Sequence, residues 1–132
     1  MEKQLNTFRK NERLCSKKLL SELTEKGISI YQHPFRFNTL VTSLSYIKPA
    51  QIVIAVPKRN FKKAVDRNKI KRRIREAYRK NKYLLYEHLH KQNKKLAILL
   101  IYTAKEELTY QEIESKIILT LQHYIKSNEK HN

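Results

Sequence analysis

The chain contains one glycine, one cysteine, one aspartate, three prolines and no tryptophan among its 132 residues. Each scarcity removes a class of explanation. A lone Gly27 cannot build a glycine-rich phosphate loop. A lone Cys15 cannot close an internal disulfide, and no C-x-x-C occurs, so a disulfide-built fold is excluded and a reducing compartment expected. No linker, repeat or low-complexity tract is visible. The sequence therefore reads as one domain over residues 1–132, with an ordered core from about 12 to 126 between polar tails. The longest apolar run, Leu96–Tyr102, has seven residues, against about 20 needed to span a bilayer. The start, MEKQLNTFRKNERLC, lacks the apolar segment of a signal peptide. A cytoplasmic protein is the expectation.

Carboxylates are equally sparse where chemistry would need them. A metal-dependent nuclease gathers several acids around its ions, whereas Asp66 stands among cations and the eleven glutamates are scattered. Glu106 and Glu107 are adjacent in an expected loop and read as solvated. His88 and His90, two apart, diverge on a helix, and no Ser/His/Asp arrangement can be drawn. The thiol of Cys15 reads as incidental. The expectation is a protein that binds no cofactor or metal itself and performs no covalent chemistry alone.

What the chain does have is positive charge, a net +17, with 40% apolar residues including eight Tyr and four Phe. That apolar fraction argues for a folded domain rather than a basic tail. So large a charge weakens the compact state by self-repulsion and points to a polyanionic partner. The charge is concentrated: between Lys58 and Lys82 stand thirteen Lys or Arg against Asp66 and Glu76, a net +11 in 25 residues.

The apolar pattern places the elements. Ser16 suits an N-cap for a short helix with Leu19, Leu20 and Leu23 on its inner face, and Gly27 suits a left-handed C-terminal cap. ISIY, then Phe35–Tyr46, then Gln51–Val56 stopped by Pro57, read as strands. No Pro or Gly interrupts the segment from about Lys62 to His90, which reads as one helix. Lys95–Thr103 is strand-like. Thr109-Tyr-Gln-Glu112 matches a capping box, followed by the stripe Ile113, Ile117, Leu121 and Tyr124. The fold class is α+β, a single small sandwich of order α-β-β-β-α-β-α.

At about 100° per residue, Ile70, Ile74, Ala77 and Tyr78 share one arc of the basic helix. Asn68, Lys71, Arg72, Arg75 and Arg79 share the adjoining arc, Arg67 lies at the seam, and Lys69, Arg73 and Lys80 point elsewhere. The apolar arc acts as a keel that aims the charges. Solvated faces intersperse acids as i,i+4 partners, and here Arg72–Glu76 and Glu76–Lys80 are the main such pairs, most cations having none. A polyphosphate offsets the repulsion by counterion release. A membrane would need bulky residues free to insert, and those are required by the core. Asn68, an amide among cations, suits a hydrogen bond to a base edge, a sugar or the backbone.

Val56-Pro57-Lys58-Arg59, then Ala64-Val65, then Arg67-Asn68-Lys69-Ile70-Lys71-Arg72-Arg73-Ile74-Arg75-Glu76 form an unusual combination. It closely resembles the protein subunits of bacterial ribonuclease P. Arg13-Leu14, Gly27, Pro34-Phe35 and Leu108-Thr109-Tyr110 fall at similar spacings, so the resemblance covers about residues 12–125. It implies a left-handed β-α-β crossover through the basic helix, against the usual right-handed rule. It also implies that a catalytic RNA removes the 5′ leader of precursor tRNA with Mg²⁺ held through that RNA. The implied partners are that RNA and precursor tRNA, with neither DNA nor a membrane. The implied RNA-docking residues are Lys58, Arg59, Arg67, Asn68, Lys69, Lys71, Arg72 and Arg75, with Arg79 beside them. A leader cleft between the first helix and the sheet would be lined by Leu20, Thr24, Phe35, Arg36 and Asn38, with Phe35 also suited to the core. Lys69 stands where the family usually has Arg, which loses a bidentate fork. Aromatics are common in the family where Leu20, Thr24 and Asn38 stand here. The rival readings are a non-catalytic RNA-binding module, such as a ribosomal protein or RNA chaperone, and a self-sufficient nuclease.

Overall fold

Alternation along the strands sorts the side chains into two layers. The computed structural model describes residues 12–14, 16–42 and 49–130, with side chains to Asn128. Cys15, the polar start of the chain and the expected strand end Ser43–Tyr46 lie outside them. Four strands, β1 (Ile28–Gln32), β2 (Phe35–Thr42), β3 (Ala50–Ala55) and β4 (Lys95–Tyr102), form one sheet of order β1-β2-β4-β3. β1–β2 and β2–β4 are antiparallel; β3–β4 is parallel. A parallel pair needs a long crossover, and the basic segment supplies it.

The helices are α1 (Lys17–Lys26), α2 (Ala64–Asn81), α3 (Tyr83–Gln92) and α4 (Tyr110–Lys130). Their order in the chain is α-β-β-β-α-α-β-α. The single helix expected over Lys62–His90 is thus two, divided at Lys82. No Pro or Gly marks the break. The Lys82 N–H still reaches the Tyr78 carbonyl at 2.8 Å. Its ammonium turns inward to Glu12, whose carboxylate also accepts from the Tyr86 hydroxyl. Glu12 and Lys82 are both fully buried.

One face of the sheet carries the main core. Phe35, Phe37, Ile52, Leu96, Ile98, Leu100 and Tyr102 meet Ile70, Ile74, Ala77 and Tyr78 of α2, with Leu85 and Leu89 of α3 and Ile113, Ile117, Leu121 and Tyr124 of α4. The opposite face carries a smaller cluster, in which Leu14, Leu19 and Leu23 pack on Ala97 with Leu20, Leu40, Val53 and Leu99 at its margin. β4 is covered on both faces, which explains its unbroken apolar run.

The caps follow the sequence in two of three cases. The Ser16 hydroxyl accepts from Leu19 N at 3.2 Å. Thr109 Oγ1 accepts from Glu112 N and Glu112 Oε1 accepts from Thr109 N, both at 3.2 Å, closing the capping box. Gly27 departs from expectation. Its φ of −65° and ψ of 155° are extended, not left-handed. Glycine is needed there for space: a Cβ would lie 2.3 Å from the Leu23 carbonyl oxygen. No helix among the described residues is long and apolar enough to cross a membrane.

The buried phenols make the fold sensitive to alkali. Burial, reinforced by neighbouring Tyr78 and Glu12, pushes Tyr86 far above the ordinary phenol value of 10.0. Burial raises Tyr78 likewise, and also Tyr102, Tyr110 and Tyr124. Above pH 10.0 the folded state retains protons on these groups that the unfolded state has lost, so stability falls as pH rises. In a phenolate absorbance titration, Tyr78 and Tyr86 are expected to ionise only together with loss of circular dichroism. Ionisation of all tyrosines with the fold intact would contradict their burial.

Candidate nucleic-acid interface

The keel of α2 sits as its periodicity requires. Ile70, Ile74 and Ala77 are fully buried and Tyr78 nearly so. This pins the rotation of the helix and leaves its cations on two flanks with different fates.

One flank is satisfied from within the protein. Lys69 and Arg73 both reach Glu107, at 3.5 and 3.2 Å, and Arg73 also donates to the Leu108 carbonyl at 2.8 Å. Glu76 pairs at 2.6 Å with Arg79, rather than with Arg72 or Lys80 as i,i+4 spacing suggests. Arg79 lies on the adjoining arc and is its one member with an acid partner among the described residues. The Arg79 guanidinium, bonded to it, holds the Glu76 carboxyl below the usual range. Lys80 lies over the Tyr110 ring, 5.6 Å from its centroid. Glu107, expected in solvent, therefore serves two cations of this flank. Lys69 belongs here by geometry, although the family resemblance counts it among RNA contacts.

The other flank faces outward. Asn68, Arg72 and Arg75 are exposed and Lys71 is half-buried. Among the described residues none of the four has an ion pair or side-chain hydrogen bond. Lys58 and Arg59, in the loop before α2, are also exposed. Phe61 packs its ring 6.0 Å from that of Tyr102. Arg67 donates to the carbonyls of Phe61 and Lys62 at 2.8 and 3.0 Å, so this seam residue fastens the loop. The result is an electropositive surface fixed by core packing on one side and by a tethered loop on the other.

The second expected site lies on the sheet face that α1 covers. Leu20 is half-buried at the edge of the smaller cluster, and the Thr24 hydroxyl donates to its carbonyl at 2.9 Å. Arg36 is exposed on β2, and Asn38 is half-buried on the same face. The Asn38 Oδ1 atom is buried with no hydrogen-bond partner among the described residues. Phe35 does not belong to this set. It is fully buried on the opposite face, its ring 5.9 Å from that of Tyr102, because strand alternation separates it from Arg36 and Asn38.

Two features escape inspection of the sequence. Lys82, one of the thirteen cations of the basic segment, is structural. The exposed Tyr31 of β1 pairs in register with Arg36 and so shares its face. Period-two alternation in ISIYQ groups Tyr31 with Ser29; nothing local marks Lys82.

Residues 8–125 match the family model described as Ribonuclease P. A protein named "Ribonuclease P protein component" from Porphyromonas gingivalis is 29% identical over 105 residues, covering 80% of this chain and 77% of that protein. One of the same name from Chlorobium phaeobacteroides is 36% identical over 85 residues, 62% of this chain and 58% of that one. The solved structure of the RNase P protein from Thermotoga maritima has the same fold, with a TM-score of 0.67 at 24% identity over 85% of this chain and 96% of that one.

Proposed function

Because the chain belongs to the Ribonuclease P family, we propose that it is the protein subunit of a cytoplasmic ribonucleoprotein that matures the 5′ ends of tRNAs. In this reading the outward flank of α2, with Lys58 and Arg59, docks on a catalytic RNA. That RNA, carrying Mg²⁺, cuts the leader from precursor tRNA. The observation that carries the proposal is the outward row Asn68, Lys71, Arg72 and Arg75, aimed by a buried keel and without acid partners among the described residues.

The protein's contribution is electrostatic and positional. Cations docked on phosphates release condensed counterions and let the RNA fold and hold Mg²⁺ at lower concentration. Two acids beside the basic helix do other work: Glu76 holds Arg79, and Glu107 holds Lys69 and Arg73. The face bearing Leu20, Thr24, Arg36 and Asn38 receives the single-stranded leader, with Arg36 as its exposed cation.

The test is reconstitution. Scrupulously RNA-free protein is expected to leave precursor tRNA intact. Added to a cognate catalytic RNA, it is expected to lower the Mg²⁺ needed for cleavage. Cleavage by the protein alone would overturn the assignment of chemistry to RNA. An unchanged Mg²⁺ requirement would favour a general RNA-binding module.

A further inference from the structure

The leader cleft has no ring at Leu20, Thr24 or Asn38, yet the same face of the sheet presents one from a neighbouring strand. Tyr31 of β1 lies directly opposite Arg36 of β2, and Arg36 opposite Ile101 of β4. Opposed residues of antiparallel strands share a face, with Cβ atoms about 4.5–5.5 Å apart. Tyr31 is 55% exposed. Its hydroxyl is nonetheless within hydrogen-bond distance of two groups, His33 Nδ1 at 3.1 Å and Thr103 Oγ1 at 3.4 Å. Thr103 follows the end of β4, so these contacts draw the ring across the end of β2. The His33 ring stands against it edge-on, with centroids 6.4 Å apart.

A large ring fixed at its tip has lost rotamer freedom without gaining full burial. That loss is useful if the free face receives a flat partner, because the platform is then already in place. Single-stranded RNA offers such a partner: its unstacked bases lie on aromatic rings, and its phosphates seek adjacent cations. The exposed Arg36 is that cation.

We propose that Tyr31 stacks on a base of the single-stranded 5′ leader while Arg36 holds the adjoining phosphate. The inference rests on the leader reading above and supplies the aromatic contact missing from α1 and β2. Stacking of this kind tolerates any base, since every base has a π-face.

The experiment uses holoenzyme reconstituted with its catalytic RNA and measures affinity for tRNA with and without a leader of several nucleotides. Tyr31→Ala is expected to weaken leader-bearing precursor roughly 5- to 150-fold and to leave mature tRNA unchanged. Tyr31→Phe keeps the ring and is expected to stay within about threefold of wild type. Equal losses in the two variants would assign the effect to the hydroxyl and overturn stacking. If wild type prefers the leader and Tyr31→Ala retains that preference, the Tyr31 proposal fails while the leader reading stands. If wild type itself binds no better with a leader, the leader reading fails first and the proposal with it. A photoreactive thiouridine in the leader gives a second readout on wild-type protein. An adduct at Tyr31 is expected, and adducts confined to other residues would overturn the assignment.

Discussion

Replacing Lys82 by methionine is expected to cost about 3–5 kcal/mol of folding stability, because it removes the buried ammonium paired with the buried Glu12 carboxylate. Both side chains are wholly inaccessible, and the Tyr86 hydroxyl shares the same carboxylate. The Tyr86 hydroxyl, a neutral donor, does not replace an ammonium in low dielectric. The effect reaches beyond the pair. Glu12 precedes Arg13, which bridges to Ile52 of β3, and Leu14, whose N–H bonds the Ile52 carbonyl at 2.9 Å. Leu14 in turn packs with Leu19 and Leu23 of α1. Breaking the pair should therefore loosen α1 as well as the junction of α2 and α3. Urea denaturation at neutral pH is the measurement, read as a fall in midpoint at nearly constant slope. The double variant Glu12→Leu with Lys82→Met is expected to recover most of the loss, since an apolar pair carries no unpaired charge. A single-variant loss under about 1 kcal/mol would contradict a dry site.

The second large effect concerns binding. Arg72→Ala together with Arg75→Ala is expected to weaken assembly with the catalytic RNA roughly tenfold or more per arginine, since hydrogen bonds to charged groups contribute about 1.5–3 kcal/mol. The slope of log affinity against log salt should flatten by about 0.7–0.9 for each phosphate left without its cation. Folding stability should change by no more than about 0.5 kcal/mol, because both arginines are exposed and unpaired among the described residues. Arg73→Ala is the informative control. It removes the bonds to Glu107 and to the Leu108 carbonyl, so it should lower stability and leave the salt slope nearly unchanged. If Arg73→Ala flattened the slope as much as the outward pair, the division of α2 into an inner and an outer flank would be wrong.

That division shows where inspection of the chain stops being sufficient. Ile70, Ile74, Ala77 and Tyr78 announce the buried side of α2 because helical periodicity is a property of neighbours three and four apart. Ser16 and the Thr109–Glu112 box are legible for the same reason: cap and capped group lie within one turn. The β-rich runs and the α+β class follow from alternation and turn residues. The Arg67–Arg75 motif is also local, and it suffices to suggest the family.

Tertiary contacts made the remaining decisions. Whether a cation on α2 is free depends on Glu107, which comes more than 30 residues later. Lys82 looks like one more positive charge until the fold brings Glu12 to it across a separation of 70 residues. Phe35 is buried in the main core while Tyr31 stands exposed on the opposite face beside Arg36, because strand register, not residue type, assigns a side chain to a face. Gly27 is recognisable as a helix terminator, but part of its reason, the Thr39 carbonyl 3.1 Å from where a Cβ would stand, exists only once β1 has paired with β2. Order along the chain determined the α+β class, two of the caps and the charged helix with its keel. The pairing of distant charges and the faces presented to a ligand were decided by the folded arrangement, since charge neutralisation and burial act through space.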